Sequence, residues 1–424
     1  MMRFFDSRLV YTILLWLLLP YAFFHLWWRA RKQPEYLDFV AERFGRYTVK
    51  ANKPVIWLHT VSVGETRAAA TLVYRLRKKY PDFQILLTHT TPTGRAASQQ
   101  LYGNDVMRVY LPYDYPFAVK RFLNHFQPRI GILLETEVWF NLIHCCNTSG
   151  IALLLLNARL SEKSAARYAR FPRLTHAGLH GLHLIAAQTE ADAQRLTGLC
   201  GRAVSTMGNL KYDIEPPVAM LELGGHLRKL LGQRPVFLAA STREGEEALL
   251  LNALQHIKDT NLLTVIVPRH PQRFDEVAAL ILQNGLRMQR RSANEVIAAS
   301  TQIVLGDSMG EMFAYYVASD IAFIGGSLLP FGGQNLIEAC SVGKPVLIGP
   351  HTYNFAQATE LAVSCGSAIR VHDSDELVLQ LNNLLQDTSR TQAMAEAGLR
   401  FVRENQGATA QALLLVEGAL GHTL

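Results

Sequence analysis

Short apolar runs recur along this chain, and segments with a helical pattern separate them. In the first half these runs are Val55–His59, Ile85–His89, Met107–Leu111, Ile130–Leu134, Ala152–Leu156 and Leu184–Ala187. In the second half they are Val236–Ala240, Leu263–Val267, Gln302–Leu305, Ile321–Ile324, Val346–Ile348 and Ala368–Val371. Strands that are apolar along their whole length are typical of parallel sheets that helices cover on both faces. The sequence therefore predicts an α/β fold.

The alternation lapses once, in the polar and proline-containing stretch GNLKYDIEPPVA from Gly208 to Ala219. Such a lapse predicts a domain boundary, and a chain of 424 residues is long for one domain. We expect a first domain over residues 34–210 and a second over residues 211–424, both doubly wound and facing a cleft. The last helix of the chain is a candidate to cross back onto the first domain.

The N-terminal segment from Leu9 to Trp28 is apolar and carries no fixed charge over twenty residues. At about 1.5 Å per residue, this length spans roughly the 30 Å hydrocarbon core of a bilayer. A cleaved signal peptide is less favoured because no small-residue cleavage site follows. We expect a retained single-pass membrane anchor within residues 1–33, and an interfacial helix broken at Pro20 stays open. The basic flank that begins at Arg29 places the domains on the cytoplasmic side.

The charge balance indicates an anionic partner. The formal net charge is +7, and the isoelectric point is about 9.1. One basic run comprises Arg159, Lys163, Arg167, Arg170 and Arg173. It fits either a solvated helix face or contact with anionic lipid headgroups and substrate phosphates. No nucleic-acid-binding module accompanies the charge, which disfavours nucleic acid. The five cysteines lack disulfide-framework or zinc spacing, which favours a reducing compartment.

Carboxylates follow two strands of the first half, at the edge where parallel sheets bind ligands. The turn SVGE places Glu65 where a helix begins, so this residue is either a first-turn acid stabilised by the helix dipole or a general base. The dipole is expected to keep its carboxyl ionised. The stretch ETEVWF places Glu135 and Glu137 straight after an apolar strand, where a solvated surface explains them poorly. Helix capping by one of them is the simpler alternative.

Glycine-rich turns follow the strands of the second half. Arg269 ends one strand, and Gly310 and Glu311 lie at a helix start. The stretch IGGSLLPFGGQNLIEAC then contains two Gly-Gly pairs before Asn335 and Glu338. Backbone N–H groups at such turns bind phosphates, and the acids suit ribose hydroxyls, so these turns predict a nucleotide site. Neither a dinucleotide fingerprint nor a P-loop motif is present.

We expect no cofactor and no catalytic metal. The sequence contains one Asp-x-Asp, Asp373-Ser374-Asp375, which precedes a helical pattern and is interpreted as a helix cap.

Taken together, these stretches resemble the 3-deoxy-D-manno-octulosonic acid (Kdo) transferases of lipopolysaccharide synthesis. The motifs that carry the resemblance are WLHTVSVGE, TPTG, YLPYD, ETEVW, NARLS, GNLKYD, STREGEE, VPRHPQRF, GDSMGE, GGSLLPFGGQN and GPHTYNF, in this order over nearly the whole chain. Two departures are visible, because Phe140 and Leu336 stand where the family often has proline.

The resemblance implies an inverting glycosyltransferase with the GT-B fold. It would move Kdo from CMP-Kdo to the lipid A precursor lipid IVA, at the cytoplasmic face of the inner membrane. The implied catalytic set is Glu65 as general base, with Glu137 or Glu135 and with Lys211. The implied CMP site is Pro268, Arg269, Met309, Gly310, Glu311, Asn335, Leu336, Ile337 and Glu338. A GT-B enzyme that uses a UDP-sugar and a non-catalytic, membrane-tethered nucleotide-binding protein remain the alternatives.

Overall fold

The computed structural model describes residues 7–421 of the chain, so the first six residues of the expected anchor lie outside it. Contacts divide the chain into two compact units. The first is Met1–Asp213 together with Gln406–Leu424, and the second is Ile214–Asn405. The expected boundary between residues 210 and 211 lies three positions before the change of unit at Asp213.

The apolar N-terminal segment forms two helices, α1 (Arg8–Leu17) and α2 (Leu19–Ala30), which are bent by 52°. The segment is therefore broken next to Pro20, which is the alternative that the sequence left open, and the membrane anchor stays a prediction. Pro20 has no N–H to donate and its ring disfavours the preceding helical turn, so the chain bends next to it. Among residues 7–421 no helix has by itself the length and apolarity to cross a bilayer, whereas the bent pair meets both criteria together.

Hydrogen bonds hold one face of α1 against the rest of the first unit. The Tyr11 hydroxyl donates to Asp114 Oδ2 at 2.9 Å, and the Thr12 hydroxyl donates to Asn141 Oδ1 at 3.0 Å. The Tyr115 hydroxyl donates to the carbonyl oxygen of Leu15 at 2.7 Å. Exposed apolar side chains also lie along α1 and α2. They are Leu9, Ile13, Leu14, Trp16, Leu17, Leu18, Tyr21, Phe23, Phe24, Trp27 and Trp28.

The sheet of the first unit has seven parallel strands in the order β3-β2-β1-β4-β5-β6-β7. The strands are β1 Val55–His59, β2 Gln84–His89, β3 Met107–Tyr110, β4 Pro128–Leu134, β5 Ala152–Ala158, β6 Leu184–Ala187 and β7 Ser205–Thr206. Helices α3 to α10 connect them and follow the N-terminal 3₁₀ turns Pro34–Leu37 and Val40–Phe44. They are α3 Val63–Ala68, α4 Ala70–Lys79, α5 Pro92–Tyr102, α6 Pro116–Phe126, α7 Phe140–Thr148, α8 Glu162–Tyr168, α9 Pro172–His180 and α10 Glu190–Cys200.

The centre of this sheet is packed around one tryptophan. Trp57 is fully buried on β1, opposite Gly131 of β4. A Cβ atom at Gly131 would lie 2.6 Å from the Trp57 ring and 2.6 Å from Leu153 Cδ1. Glycine is required here because any side chain would clash with the indole. The Trp57 Nε1 donates to the Thr88 hydroxyl at 2.8 Å, so the polar atom of the buried ring is satisfied.

The sheet of the second unit is also parallel, in the order β10-β11-β9-β8-β12-β13-β14. Its strands are β8 Val236–Thr242, β9 Leu263–Pro268, β10 Met288–Arg290, β11 Ile303–Leu305, β12 Ile321–Ile324, β13 Val346–Ile348 and β14 Ala368–Arg370. Its helices are α11 Val218–Leu231, α12 Glu246–Leu254, α13 Phe274–Gln283, α14 Met312–Ala318, α15 Ile337–Ser341, α16 Ala356–Ser364, α17 Ser374–Gln386 and α18 Thr388–Asn405. The expectation of two doubly wound parallel sheets is confirmed.

Every strand predicted from the apolar runs is present, and two further strands are not apolar. β7 and β10 have two and three residues, lie at sheet edges and are polar, so they leave no apolar run in the sequence. The last helix, α19 (Ala408–Gly421), belongs to the first unit. Its Ala412 and Val416 are fully buried in the cluster that contains Ile56 of β1 and Ile132 of β4.

Candidate active site

The candidate residues of the first unit lie where its strand order reverses. β1 and β4 are neighbours in the sheet, and the chain leaves them in opposite directions along it. In open α/β sheets this crevice, outside the carboxyl ends of the strands, is where ligands bind. Glu65 lies in the first turn of α3 after β1, and Glu135 and Glu137 follow β4 directly.

Glu65 takes part in the cap of its own helix. The hydroxyl of Ser62, the N-cap residue of α3, accepts from Glu65 N at 3.2 Å and donates to Glu65 Oε1 at 2.9 Å. The backbone N–H of Val61 donates to Glu65 Oε2 at 2.8 Å. This reciprocal arrangement resembles a capping box, except that the glutamate accepts from the residue before the N-cap, Val61, and not from the N-cap itself. The structural role that the sequence offered for Glu65 is therefore present, and it fixes the carboxylate at the strand end.

The pKa of Glu65 is raised to about 7, mainly by burial and in smaller part by the charges of Glu135 and Glu137. The bonds from Val61 and Ser62 act in the opposite direction and are weaker than the desolvation. Any help that the helix dipole gives in keeping this carboxyl ionised is outweighed by burial, and α3 has only six residues. A carboxyl whose pKa lies near neutral pH suits a general base.

Glu135 and Glu137 join Glu65 in one carboxylate cluster. Glu135 has a left-handed backbone with a φ of 60° and is paired with Lys211, whose Nζ lies 3.2 Å from Glu135 Oε1. Glu137 Oε2 accepts from Trp139 Nε1 at 2.5 Å, and burial raises the pKa of Glu137. The structure thus brings together all four predicted catalytic residues. Lys211 lies in the segment that leads out of the first unit, far along the chain from the acids it faces.

His59 is a neighbour of this cluster that the sequence prediction missed. It ends β1 and is fully buried, and its Nδ1 lies 3.0 Å from the carbonyl oxygen of Thr88. Burial lowers the pKa of His59 to about 3, so the ring is neutral. The same Nδ1 lies 2.9 Å from the Thr88 hydroxyl, which can donate or accept a hydrogen bond. The other ring nitrogen, Nε2, lies 3.9 Å from Glu137 Oε2. The sequence signal was a histidine closing a strand that is otherwise apolar.

The second unit also places its candidate residues at strand ends. The backbone N–H of Arg269 donates to the carbonyl oxygen of Thr242 at 2.9 Å, directly after Pro268 closes β9. Burial lowers the pKa of the neighbouring His270, and the charges of Arg243 and Arg269 lower it further. Three basic side chains therefore lie around this strand end, which suits an anionic ligand.

Two further loops of the second unit carry the remaining candidates. Glu311 precedes α14, accepts from the Ser308 hydroxyl at 2.6 Å, and lies 3.4 Å from Arg291 Nε. Gly310 has a φ of 82°, and a Cβ atom there would meet open space, while Met309 is exposed. The side chain of Asn335 accepts from Ile337 N at 3.1 Å.

The same Asn335 side chain donates to Glu338 Oε1 at 3.1 Å, which links the two polar candidates of the loop before α15. The side chains of Leu336 and Ile337 are fully buried in the core, so only their backbone groups are available to a ligand. The helices that follow, α14 and α15, have seven and five residues.

A buried glutamate that the sequence prediction missed braces one of the glycine turns. Glu246 is fully buried at the start of α12. Its carboxylate accepts from the consecutive backbone N–H groups of Gly326, Ser327 and Leu328 at 2.6, 3.0 and 3.0 Å. These bonds tie the loop after β12 to the loop after β8, which are the two strands where the order of this sheet reverses. Glu246 occupies the N–H groups that the motif GGS offered for a phosphate.

The Asp-x-Asp motif acts as a helix cap, as expected. Asp373 is the N-cap residue of α17, and its Oδ1 accepts from Glu376 N at 2.8 Å. Within residues 7–421 no group of three or more histidine, cysteine, aspartate or glutamate side chains is arranged to hold a metal ion. That the reaction needs no metal stays a prediction.

The two parallel sheets are similar to those of solved glycosyltransferases and related proteins. A glycosyltransferase from Rickettsia africae aligns with a TM-score of 0.58 and 15% identity, over 87% of this chain and 99% of its own. An Anabaena protein solved in complex with UDP aligns with a TM-score of 0.55 and 15% identity, over 86% and 99%. At this identity the likeness shows the fold alone. The fold defines a two-domain α/β protein with a GT-B-like fold and candidate site residues at its strand ends.

The sequence comparisons show the family. Residues 39–214 match the family described as "3-Deoxy-D-manno-octulosonic-acid transferase (kdotransferase)", and residues 235–401 match "Glycosyl transferases group 1". A 3-deoxy-D-manno-octulosonic acid transferase of Bordetella pertussis is 40% identical over 98% of this chain and all of its own length. One of Haemophilus influenzae is 37% identical over 97% and 98%. This chain belongs to the Kdo transferase family, the glycosyltransferases that add Kdo in lipopolysaccharide synthesis.

Proposed function

We propose that this protein transfers Kdo from CMP-Kdo to lipid IVA, with inversion at the anomeric carbon and with Glu65 as the general base. The observation that carries the proposal is the carboxylate cluster at the switch point of the first sheet, in a member of the Kdo transferase family. Glu65 is held there by Ser62 and Val61, and its pKa is raised to about 7.

The nucleophile in this reaction is a sugar hydroxyl, which is weak unless a base accepts its proton. In the proposed step the hydroxyl oxygen attacks the anomeric carbon while the bond from that carbon to the phosphate oxygen breaks. The proton passes to the carboxylate of Glu65, and CMP leaves. A base whose pKa is near the working pH is ionised often enough to act and basic enough to accept the proton. Such help is typically worth about 10²–10⁴-fold in rate.

Lys211 and the two other acids set the charge around this base. The ammonium of Lys211 compensates the charge of Glu135 across 3.2 Å, which limits the repulsion that Glu135 exerts on the ionised base. Neutral His59 adds no charge to the cluster. Lys211 and the neutral His59 therefore limit the charge that surrounds Glu65.

We assign CMP to the strand-end loops of the second unit. Arg269 supplies positive charge at the end of β9, where Arg243 adds to it. Glu311 and Asn335 supply acceptors and donors that suit ribose hydroxyls and base amines. The leaving phosphate develops charge as the bond breaks, and fixed cations and N–H dipoles stabilise that charge without a divalent ion.

We propose that the exposed apolar surface of α1 and α2 contacts the cytoplasmic leaflet of the inner membrane. Eleven exposed apolar side chains on two short consecutive helices exceed what a water-facing protein shows by chance. The polar face of α1 is bonded to Asp114 and Asn141, which favours the interfacial arrangement over a single-pass span. The exposed residues Arg159, Lys163, Arg167, Arg170 and Arg173 suit anionic headgroups and the phosphates of the acceptor.

The test is incubation of the full chain with CMP-Kdo and lipid IVA, followed by mass spectrometry of the lipid, with and without EDTA. We expect a mass gain of one or more Kdo residues in both conditions. Loss of transfer with EDTA would contradict the metal-free mechanism. Calorimetric titration with CMP and with UDP accompanies the assay. Binding of UDP alone would point to a UDP-sugar enzyme, and binding of CMP without transfer would point to a non-catalytic binding protein.

A further inference from the structure

Lys211 owes its position to a short turn. It lies in the 3₁₀ turn Leu210–Tyr212, which follows the two-residue edge strand β7. A lysine side chain has four rotatable bonds, and holding its ammonium 3.2 Å from Glu135 Oε1 requires a backbone that does not move. A turn of three residues has too few bonds of its own to supply this rigidity.

Buried Asn157 supplies the anchor. Its side-chain Oδ1 accepts from the backbone N–H of Leu210 at 3.1 Å, and its own carbonyl oxygen accepts from Gln188 Nε2 at 3.0 Å. Gln188 Oε1 in turn accepts from Asn209 Nδ2 at 3.1 Å, and Asn209 Oδ1 accepts from Lys211 N at 3.0 Å. A continuous set of hydrogen bonds therefore links Asn157 to the backbone of Lys211.

The segment that contains Asn157 also fixes the other partner of the ion pair. The carbonyl oxygen of Leu156 accepts from Glu135 N at 3.2 Å, and the N–H of Arg159 donates to the carbonyl oxygen of Glu135 at 3.2 Å. Residues on both sides of Asn157 thus hold the backbone of Glu135. One strand end, that of β5, sets both the acid and the lysine that face each other.

The backbone of this strand end is unusual. Asn157 has a φ of 53° and is 1% exposed, and Glu135 on the neighbouring strand has a φ of 60°. Residues other than glycine avoid this region, although asparagine tolerates it best. Such conformations persist where the surrounding structure imposes them, and they concentrate at functional sites. Asparagine suits this position for two reasons: it tolerates the left-handed backbone, and its side-chain oxygen accepts from the backbone N–H of Leu210.

We propose that Asn157 is a positioning residue that sets Lys211 against Glu135 in the carboxylate cluster. The proposal rests on the proposed transfer of Kdo, since the cluster is the site assigned to that reaction. Asn157 acts through Lys211 and does not touch the substrate. Its removal should therefore lower kcat while leaving the KM for CMP-Kdo, whose assigned site lies in the second unit, nearly unchanged.

Two variants of Asn157 separate the side chain from the backbone. Asn157→Gly keeps a residue that accepts positive φ and removes the acceptor, whereas Asn157→Asp keeps an acceptor. We expect Asn157→Gly to lower kcat by about tenfold to a hundredfold, the size of a small misplacement of a catalytic group, and Asn157→Asp to retain most activity. In a Lys211→Ala background the same glycine substitution should change kcat less than about twofold, because the residue it positions is gone.

Competitive acetylation with mass spectrometry tests the same contact without the reaction. The labelling rate of Lys211 should rise severalfold in Asn157→Gly, while that of Lys163, exposed on α8, stays unchanged. Unchanged labelling of Lys211, or an equal loss of kcat in the presence and absence of Lys211, would overturn the proposal. A wild type that transfers no Kdo would refute the proposed function, and the labelling result would still decide the role of Asn157. Far-ultraviolet circular dichroism confirms that each variant is folded.

Discussion

Replacing Glu65 by glutamine separates the two roles that the structure gives this side chain. As a cap, Glu65 accepts from Val61 N and from the Ser62 hydroxyl through two carboxylate oxygens. Glutamine keeps one oxygen acceptor of the same length, so the loss is close to one hydrogen bond, about 0.5–1 kcal/mol. For a unit of this size that lowers Tm by at most about 4 °C.

As a base, Glu65 has no substitute in glutamine, whose amide does not accept a proton at neutral pH. We expect kcat for Kdo transfer to fall by about 10²–10⁴-fold. This corresponds to about 2.7–5.4 kcal/mol in the activation barrier, several times the capping loss. The assay is initial-rate formation of the Kdo-lipid by mass spectrometry, with Tm measured in parallel. Glu162→Gln is the matched control, because Glu162 is an exposed first-turn glutamate of α8.

The pH dependence gives the same prediction a second test. With a pKa of about 7, the base is increasingly protonated below neutral pH, so wild-type kcat/KM should fall as the pH drops below 7. The pKa of Glu65 is higher in the folded state than its ordinary value of 4.5. Its protonation therefore stabilises the fold below pH 4.5, and this contribution is lost as the pH rises through 7.

Glutamine lacks this titration, so the Tm of the variant relative to wild type should be lowest near pH 5 and should rise toward pH 8. A folded Glu65→Gln protein that keeps more than a tenth of wild-type kcat would refute the catalytic role. A Tm loss well above 10 °C would instead show that the cap is the main role.

Three further predictions concern other parts of the chain. Arg273→Ala leaves the fully buried Glu247 without the guanidinium that it contacts at 2.8 and 3.1 Å. We expect urea unfolding to show a loss of about 3–5 kcal/mol in the stability of the second unit, and a loss below about 1 kcal/mol would contradict a buried ion pair. Asp373→Ala removes the α17 cap and should lower the free energy of unfolding by about 1 kcal/mol, seen as a modest drop in Tm, while kcat is unchanged. Loss of activity would instead indicate that Asp373 binds a ligand. Leu17→Glu, in the exposed surface of α1, should reduce flotation with vesicles of anionic phospholipid, whereas Leu414→Glu, at another exposed leucine on α19, should not; equal effects would exclude α1 as the membrane contact.

The sequence predicted what depends on local pattern. Apolar runs predicted the strands of both sheets, and the lapse that begins at Gly208 contains the change of unit at Asp213. The period of a buried parallel strand is visible in a few consecutive residues, because both faces must be apolar. The strands β7 and β10 were not predicted, because they lie at sheet edges and carry polar residues.

The candidate acids were also visible in the sequence, because carboxylates directly after an apolar strand must lie at the ligand-binding edge of a parallel sheet. What the pattern left open was the environment of each group. The protonation of Glu65 depends on how deeply its carboxyl is buried, which the sequence does not show. In the folded chain this carboxyl takes part in the cap of α3, and burial raises its pKa. The sequence likewise left a break at Pro20 as one alternative, and the structure has the bend there, with α1 bonded to Asp114 and Asn141.

Amino-acid order by itself determined which residues form strands, where the chain divides and to which family it belongs. Tertiary structure alone decided which distant groups share a site. It paired Lys211 with Glu135 and bonded Asn157 to the turn that contains that lysine. It also brought three backbone N–H groups within hydrogen-bond distance of Glu246. These contacts join segments far apart in sequence, and no local periodicity encodes them. They follow from the order of strands in each sheet, because that order fixes which strand ends become neighbours.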